Sequence, residues 1–300
     1  MPGMSRHAGV EAGGRPMVVR PVCAGSVGTA GTIFHGTRTP LTIWFAAAWM
    51  MVSQKHGISA LGLKRTLGIG SEQTASAMLH RYRTAMVRPG RERLRGVVEV
   101  DETFFGGPEP GRRGRGAKGK TMVEIAVEQG DHGLGRCRMQ VIESIDTPTL
   151  REFLLADVEP SAAVVTDGLR SYIPAWGEEY EHRPEPIGPS GMQAHELLPA
   201  VHRVAALAKR WLLGTHQGGT KPAHMQAYLD EFAFRLNHRR SRSRGMLFYR
   251  LLERSLQSDR RTYRSLVTDT GASPRPRPSP PPIGKRIRPA SLAGEPLDRP

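Results

Sequence analysis

The chain has 300 residues, enough for one good-sized core and a small accessory domain. Its 43 Lys and Arg against 28 Asp and Glu leave a net charge of +15, which favours a polyanionic partner, most simply DNA or RNA. Cys23 and Cys137 form no CxxC pair and the longest apolar run, Ile43 to Val52, is ten residues, which argues against a disulfide framework, a self-contained zinc ribbon and a bilayer span. No clear secretory core stands in the first 25 residues, and a reduced, cytoplasmic setting is expected.

Residues 1–30 are rich in Gly, Ala and Arg and lack periodicity, so they read as disordered or as a remnant of something larger. Residues 31–90 read as helical. Pro40 opens an apolar helix, LTIWFAAAWMMVSQ. Ser59 caps a short helix through Leu67, Gly68-Ile69-Gly70 makes a tight turn, and Ser71 caps a second helix. That helix carries Ala75, Met78, Leu79, Tyr82 and Met86 at helical spacing. This is a helix-turn-helix pattern, which an ordinary helical hairpin also satisfies. In the DNA-binding version Glu72, Gln73, Thr74 and Ser76 begin the recognition helix and reach base edges, while Arg81 and Arg83 face phosphates.

Residues 96–262 read as the main domain. VVEVDETFF, TMVEIAVEQ and GRCRMQVIE are predicted strands, the last two joined as a hairpin through Gly130–Gly135. TPTLREFLLADV is a predicted amphipathic helix with Thr147 as its cap, and SAAVVTD a short buried strand. Two helices follow, ELLPAVHRVAALAKRWLL and HMQAYLDEFAFRLNHRRS. The order predicts an α/β fold, a ribonuclease-H-like mixed sheet flanked by helices, preceded by the small helix-turn-helix domain. Residues 268–300 form a Pro/Arg-rich tail, expected to be disordered.

Two acids stand at predicted strand ends. Asp101 shares a strand face with Glu99, and a charged pair on a Val-rich strand is costly unless paired or metal-bound. Asp167 follows AAVVT and precedes Gly168, a common site geometry in open sheets. Taken singly, Asp101 also suits a strand-end cap and Asp167 a turn cap; Glu102 suits a structural bridge to the arginines of the next loop. Together, two strand-end carboxylates in a basic protein suit a site that holds divalent cations and transfers phosphoryl groups. On the later helix His202 and Lys209 lie seven residues apart on one face. Lys209 reaches a phosphate as a point charge; His202 is a third ligand or a core histidine, and its imidazole suits magnesium poorly. The loop 106–120, with Arg112, Arg113, Arg115, Lys118 and Lys120 among Gly and Pro, reads as an electrostatic clamp on a phosphate backbone, or as a solvated loop. In HRRSRSR, 238–244, arginines extend the basic surface or cap helix carbonyls.

Over roughly residues 27–265 the chain resembles the insertion-sequence transposases with an ISXO-like DDE domain. The resemblance rests on GTIFHGTRTPLTIWF, QKHGISALGLKRTLGIG, VEVDETFFGG, GRRGRGAKGK, TDGLRSY, HELLPAVHRV, LAKRWLLGTHQG and YLDEFAFRLNHRRSRSR. It implies a ribonuclease-H-like enzyme that cuts element ends and joins the 3′-OH to target DNA with two Mg2+ or Mn2+ ions. It implies Asp101 and Asp167 as the first two catalytic acids. Many relatives carry a Glu or Asn near the start of the following helix, the Glu seven residues before the Lys; the Glu position here is His202 and the Asn position Pro199, so a DDH variant is expected, with Glu196 in reserve. Many relatives also begin with a Cys-rich zinc ribbon, of which only Cys23 stands here. A decayed remnant that only binds DNA, and a metal-dependent nuclease, are the rival readings. A homodimer or larger assembly is implied, since two element ends must be held together, with DNA as partner and no membrane.

Overall fold

The computed structural model describes residues 28–106, 120–130, 133–168, 179–185, 194–217 and 222–260. Of the loop predicted as a clamp, Arg112, Arg113, Arg115 and Lys118 lie outside the described residues, as do 1–27 and the 268–300 tail.

Three helices come first: α1 (Leu41–Ser53), α2 (Ala60–Leu67) and α3 (Glu72–Met86). The predicted caps hold. Ser59 Oγ accepts from the Gly62 N–H and Ser71 Oγ from the Thr74 N–H, each satisfying a donor the helix itself leaves open. Gly68 ends α2 in the left-handed region at φ 63°, a conformation glycine adopts without a Cβ penalty. Phe34, Trp44, Met51, Leu63, Met78 and Tyr82 form the helical core, and Tyr82 donates its buried hydroxyl proton to the Trp44 carbonyl at 2.7 Å.

The sheet contains β1 (Val97–Phe105), β2 (Thr121–Gly130), β3 (Gly133–Ile142), β4 (Ala163–Thr166) and β5 (Glu181–Pro184) in the order β3-β2-β1-β4-β5. β1, β2 and β3 run antiparallel to their neighbours, whereas β4 lies parallel to β1 and β5 parallel to β4. This is a ribonuclease-H-like mixed sheet. The period of two sorts its faces. Val98, Val100 and Ala126 meet Leu150, Phe153 and Leu154 of α4 (Thr147–Asp157) on one side. Phe105, Val123, Ile125 and Val127 meet Val201, Val204, Ala208 and Leu229 on the other. Those last residues belong to α6 (Pro199–His216) and α7 (Met225–Asn237), which follow a short α5 (Ala194–Leu197). The cap of α4 is Asp146, whose carboxylate accepts from the Thr149 N–H, rather than Thr147, the first helical residue.

β3 is an outer strand, and side-chain amides of α7 cover its edge. The Cys137 N–H donates to Asn237 Oδ1 at 2.8 Å and the Val141 N–H to Gln226 Oε1 at 2.8 Å; both amides donate back, to the Cys137 and Met139 carbonyls. A strand edge so occupied offers no template for another chain.

A last helix, α8 (Arg244–Gln257), was not foreseen and does not join the sheet. Leu247 and Leu251 enter the helical core beside Trp44 and Met78. The helical layer is also tied to the sheet's helices by a buried ion cluster. Arg83 of α3 donates from Nε to Glu231 Oε2 at 2.8 Å, and Arg235 donates to Glu231 Oε1 at 2.6 Å. Arg83 and Glu231 side chains are 2% and 1% exposed, so Arg83 does not face phosphates. Its guanidinium lies 4.3 Å from the Tyr228 ring centroid, and His80 and His216 pack against that same ring. Beside them the Trp211 indole N–H and the Thr215 hydroxyl both donate to the His56 carbonyl.

Candidate active site

The parallel register of β1 and β4 pairs Val97 with Ala163, Val98 with Val164 and Glu99 with Val165. Carried on by two residues, it sets Asp101 abreast of Asp167 on the face that α6 covers. Asp167 stands just past the end of β4, as its sequence position suggested, whereas Asp101 lies mid-strand: β1 runs on to Phe105 because β2 continues to pair with it beyond the last β4 partner. Asp101 is largely buried, its side chain 14% exposed, and its Oδ1 accepts from the Glu102 N–H at 2.9 Å. Burial, then the charges of Glu102 and Asp167, push the Asp101 carboxyl up to about 7; the Glu102 N–H and the Lys209 ammonium oppose this.

Helix α6 brings the other predicted groups. Its first turn begins at Pro199, which suits a position with no N–H to offer. His202 Nε2 stands 3.8 Å from Asp101 Oδ2, so the histidine that also suited a core position faces the acid. Two turns on, Lys209 Nζ donates to Thr103 Oγ1 at 2.8 Å and lies 5.5 Å from the Phe105 ring centroid. The residue as a whole is exposed. Partial loss of solvent, then the charge of Lys120 nearby, holds its pKa below the usual lysine range, while Asp101 pulls it back up. Lys120 is thus the one predicted clamp residue among the described ones, and it lies beside Lys209. Glu196, kept in reserve as a ligand, is exposed on α5, ahead of the bend at Leu198 that separates α5 from α6.

Sequence reasoning missed the role of Glu99. Its carboxylate is 1% exposed and accepts from the N–H groups of Ala200 and Val201 at 2.7 and 2.9 Å, and from Gln129 Nε2 at 2.9 Å. The signal was present as an acid on a Val-rich strand two residues before Asp101; its backbone partners lie a hundred residues downstream. Glu102 points to the opposite face, where it pairs across the strands with buried Glu124.

In the helical layer Gln73 and Thr74 are exposed at the start of α3 and Ser76 is half-buried. Arg81 is half-buried with its guanidinium 5.7 Å from the Trp44 ring centroid. A cleft of about 500 Å³ lies beside Thr74, lined by Arg38, Leu67, Gly68 and Ser71 among others.

Two abreast carboxylates, one of them lifted by the other's charge, are a donor set that a divalent cation would relieve. Among the described residues no three His, Cys, Asp or Glu are drawn together at metal-holding spacing. No helix among the described residues is long and apolar enough to cross a membrane.

No curated protein matches the chain. Among solved structures it is similar to a Mos1 transposase paired-end complex with the left transposon end, at 14% identity and a TM-score of 0.33, covering 79% of this chain and 81% of that one. It is also similar to a Mos1 mariner paired-end complex with Mn (14% identity, TM-score 0.30, 78% and 80% covered) and to a Mos1 strand transfer complex (12%, 0.30, 79% and 81%). The model of the ISXO2-like transposase domain matches residues 93–237. All five strands, Asp101 and Asp167, and helices α4 to α7 fall within that span, which matches the ISXO2-like transposase domain.

Proposed function

We propose that this protein is a transposase that cuts the ends of an insertion sequence and joins the freed 3′-OH to target DNA at the Asp101–Asp167 site. The observation that carries the proposal is the β1–β4 register that sets the two acids abreast, with His202 3.8 Å from one of them. In the first step water attacks the phosphodiester at the element end, a P–O bond forms, and the 3′ oxygen leaves and takes a proton. In the second, that 3′-OH attacks a target phosphodiester and a target 3′-OH leaves. Two divalent ions, when bound, lower the pKa of the attacking oxygen and stabilise the departing one.

Asp101 and Asp167 hold the cations, and His202 completes the set. Lys209, fixed by Thr103, orients a non-bridging phosphate oxygen, with Lys120 adding charge beside it. Arg112, Arg113, Arg115 and Lys118 extend this as a backbone clamp. Gln73, Thr74 and Ser76 of α3 read the element end, with Arg81 on its phosphates. The enzyme acts in the cytoplasm as a homodimer or larger on paired ends.

A strand-transfer assay with pre-cut element ends tests this. Manganese is expected to support joining better than magnesium, because the set contains an imidazole. Asp101→Asn is expected to abolish joining while DNA affinity stays within a few-fold. Equal rates in magnesium would remove His202 from the set. Binding to ends without nicking in either metal would leave a DNA-binding remnant, and nicking without joining would leave a nuclease.

A further inference from the structure

The acid on the site face of β1 that is neither near solvent nor near a predicted cation is Glu99, and everything around it donates. Three N–H groups converge on its two oxygens: Ala200 and Val201 on Oε2, Gln129 on Oε1. Ala200 and Val201 belong to the first turn of α6, whose own side chains provide no cap. The N-terminus of α6 is therefore capped by a strand residue a hundred positions earlier. The helix's positive end and three hydrogen bonds offset the cost of burying the carboxylate.

Val201 is followed directly by His202. On β1 the next residues on the same face are Asp101 and Thr103, and these meet His202 and Lys209. The spacings agree. Four strand residues from Glu99 to Thr103 span about 13 Å, and eight helical residues from Val201 to Lys209 about 12 Å. One strand face thus meets one helix at three successive points, and the Glu99 point is the buried one.

We propose that Glu99 is a positioning residue of the active site: its carboxylate anchors the start of α6 and so sets His202 and Lys209 against Asp101. The inference rests on the reading of Asp101, Asp167 and His202 as the cation site. It requires a carboxylate rather than any polar group. Glutamine is nearly the same shape, but it brings no negative charge to the positive end of α6, and its NH2 must face either the two backbone donors or a Gln129 amide turned round to accept. Glu99→Gln therefore tilts or loosens the first turn of α6 while leaving the sheet intact.

The test is calorimetric titration of DNA-free protein with MnCl2, alongside strand transfer at saturating manganese. Groups that orient a ligand typically change affinity or activity by about 10–100-fold when altered, and a loss of Mn2+ affinity of that size is expected for E99Q. A role confined to folding would lower the number of sites per chain without moving the dissociation constant. E99Q affinity within twofold of the unaltered protein, with D101N unable to bind, overturns this inference and leaves the site reading intact. Normal Mn2+ binding by D101N overturns the site reading itself, and this inference with it. If E99Q does not fold, Gln129→Ala decides the matter, since it removes only the donor to Oε1 from an exposed residue. A several-fold loss of Mn2+ affinity at unchanged melting temperature is expected there, and unchanged affinity overturns the proposal.

Discussion

Asp101 and Glu231 are both buried acids, and their surroundings are opposites. Burial, Glu102 and Asp167 push the Asp101 carboxyl up to about 7. Burial would raise the Glu231 carboxyl too, yet Arg83 and Arg235 hold it down at about 2. The acid at the domain junction is matched by two guanidiniums, in keeping with a structural role. The acid on β1 is buried beside two other carboxylates, with the Lys209 ammonium as the opposing charge, a condition that a cation would relieve. Burial alone does not distinguish scaffold from site; the sign of the neighbouring charge does.

The sharpest way to break the comparison is Glu231→Ala. It leaves the Arg83 charge buried without a carboxylate, and a loss of about 3–5 kcal/mol in unfolding free energy is expected by denaturant titration. A loss under about 1 kcal/mol would mean that the junction does not depend on the pair.

Acid should loosen the same junction. Burial, then Arg83 and His224, push the His80 imidazole down to about 3, and burial, then Arg83, push His216 down to about 4. Below the unfolded pKa of about 6.5 the unfolded chain takes up protons that these folded imidazoles refuse. Stability should therefore fall as pH drops from 6.5 toward 4, by about 2 kcal/mol per histidine at pH 5. The double variant His80→Phe/His216→Phe should show a flatter profile there; an unchanged slope would assign the acid sensitivity elsewhere.

Asp101→Asn should act oppositely to Glu231→Ala. The raised pKa means the ionised carboxylate strains the fold above about pH 7 and progressively less down to pH 4. Substitution should add on the order of 1–3 kcal/mol at pH 8, a gain that vanishes near pH 4. A variant less stable than the parent at pH 8 would show that Asp101 is matched after all. The smallest effect is expected from Thr103→Val, which frees Lys209 from its hydrogen bond to the Thr103 hydroxyl. Joining should slow about 2–10-fold with the melting temperature unchanged.

Much of this was legible in the sequence, for reasons that differ by residue. Asp101 and Asp167 announced themselves as acids ending Val-rich runs, a local signal. Ser59, Ser71 and Gly68 carry their helix ends in their own chemistry. Arg83 was misread because its helical position borders Leu79, Tyr82 and Met86, and the acid that draws it inward lies 148 residues on. Glu99 was recognised as needing a partner, but two backbone N–H groups of a distant helix leave no mark in a sequence. β5 is a polar EHRP segment with no apolar alternation to reveal it, and it exists because the backbone of β4 needs a neighbour. At 146–147 two residues that both cap helices stand side by side, and only geometry picks Asp146. Helix α8 has an apolar Leu247–Leu251 spacing, yet the arginines before it read as the end of the preceding helix.

The path of α8 bears on how the molecule is made. The core built around Phe34, Trp44 and Tyr82 takes Leu247 and Leu251 from the far end of the chain. During synthesis, domains commonly finish in order of emergence. Here the first helices to leave the ribosome must wait with an open flank until residue 251 appears, after every strand of the sheet has been delivered. A stop codon anywhere between Asn237 and Leu247 would yield a protein with an intact sheet and an unfinished helical layer.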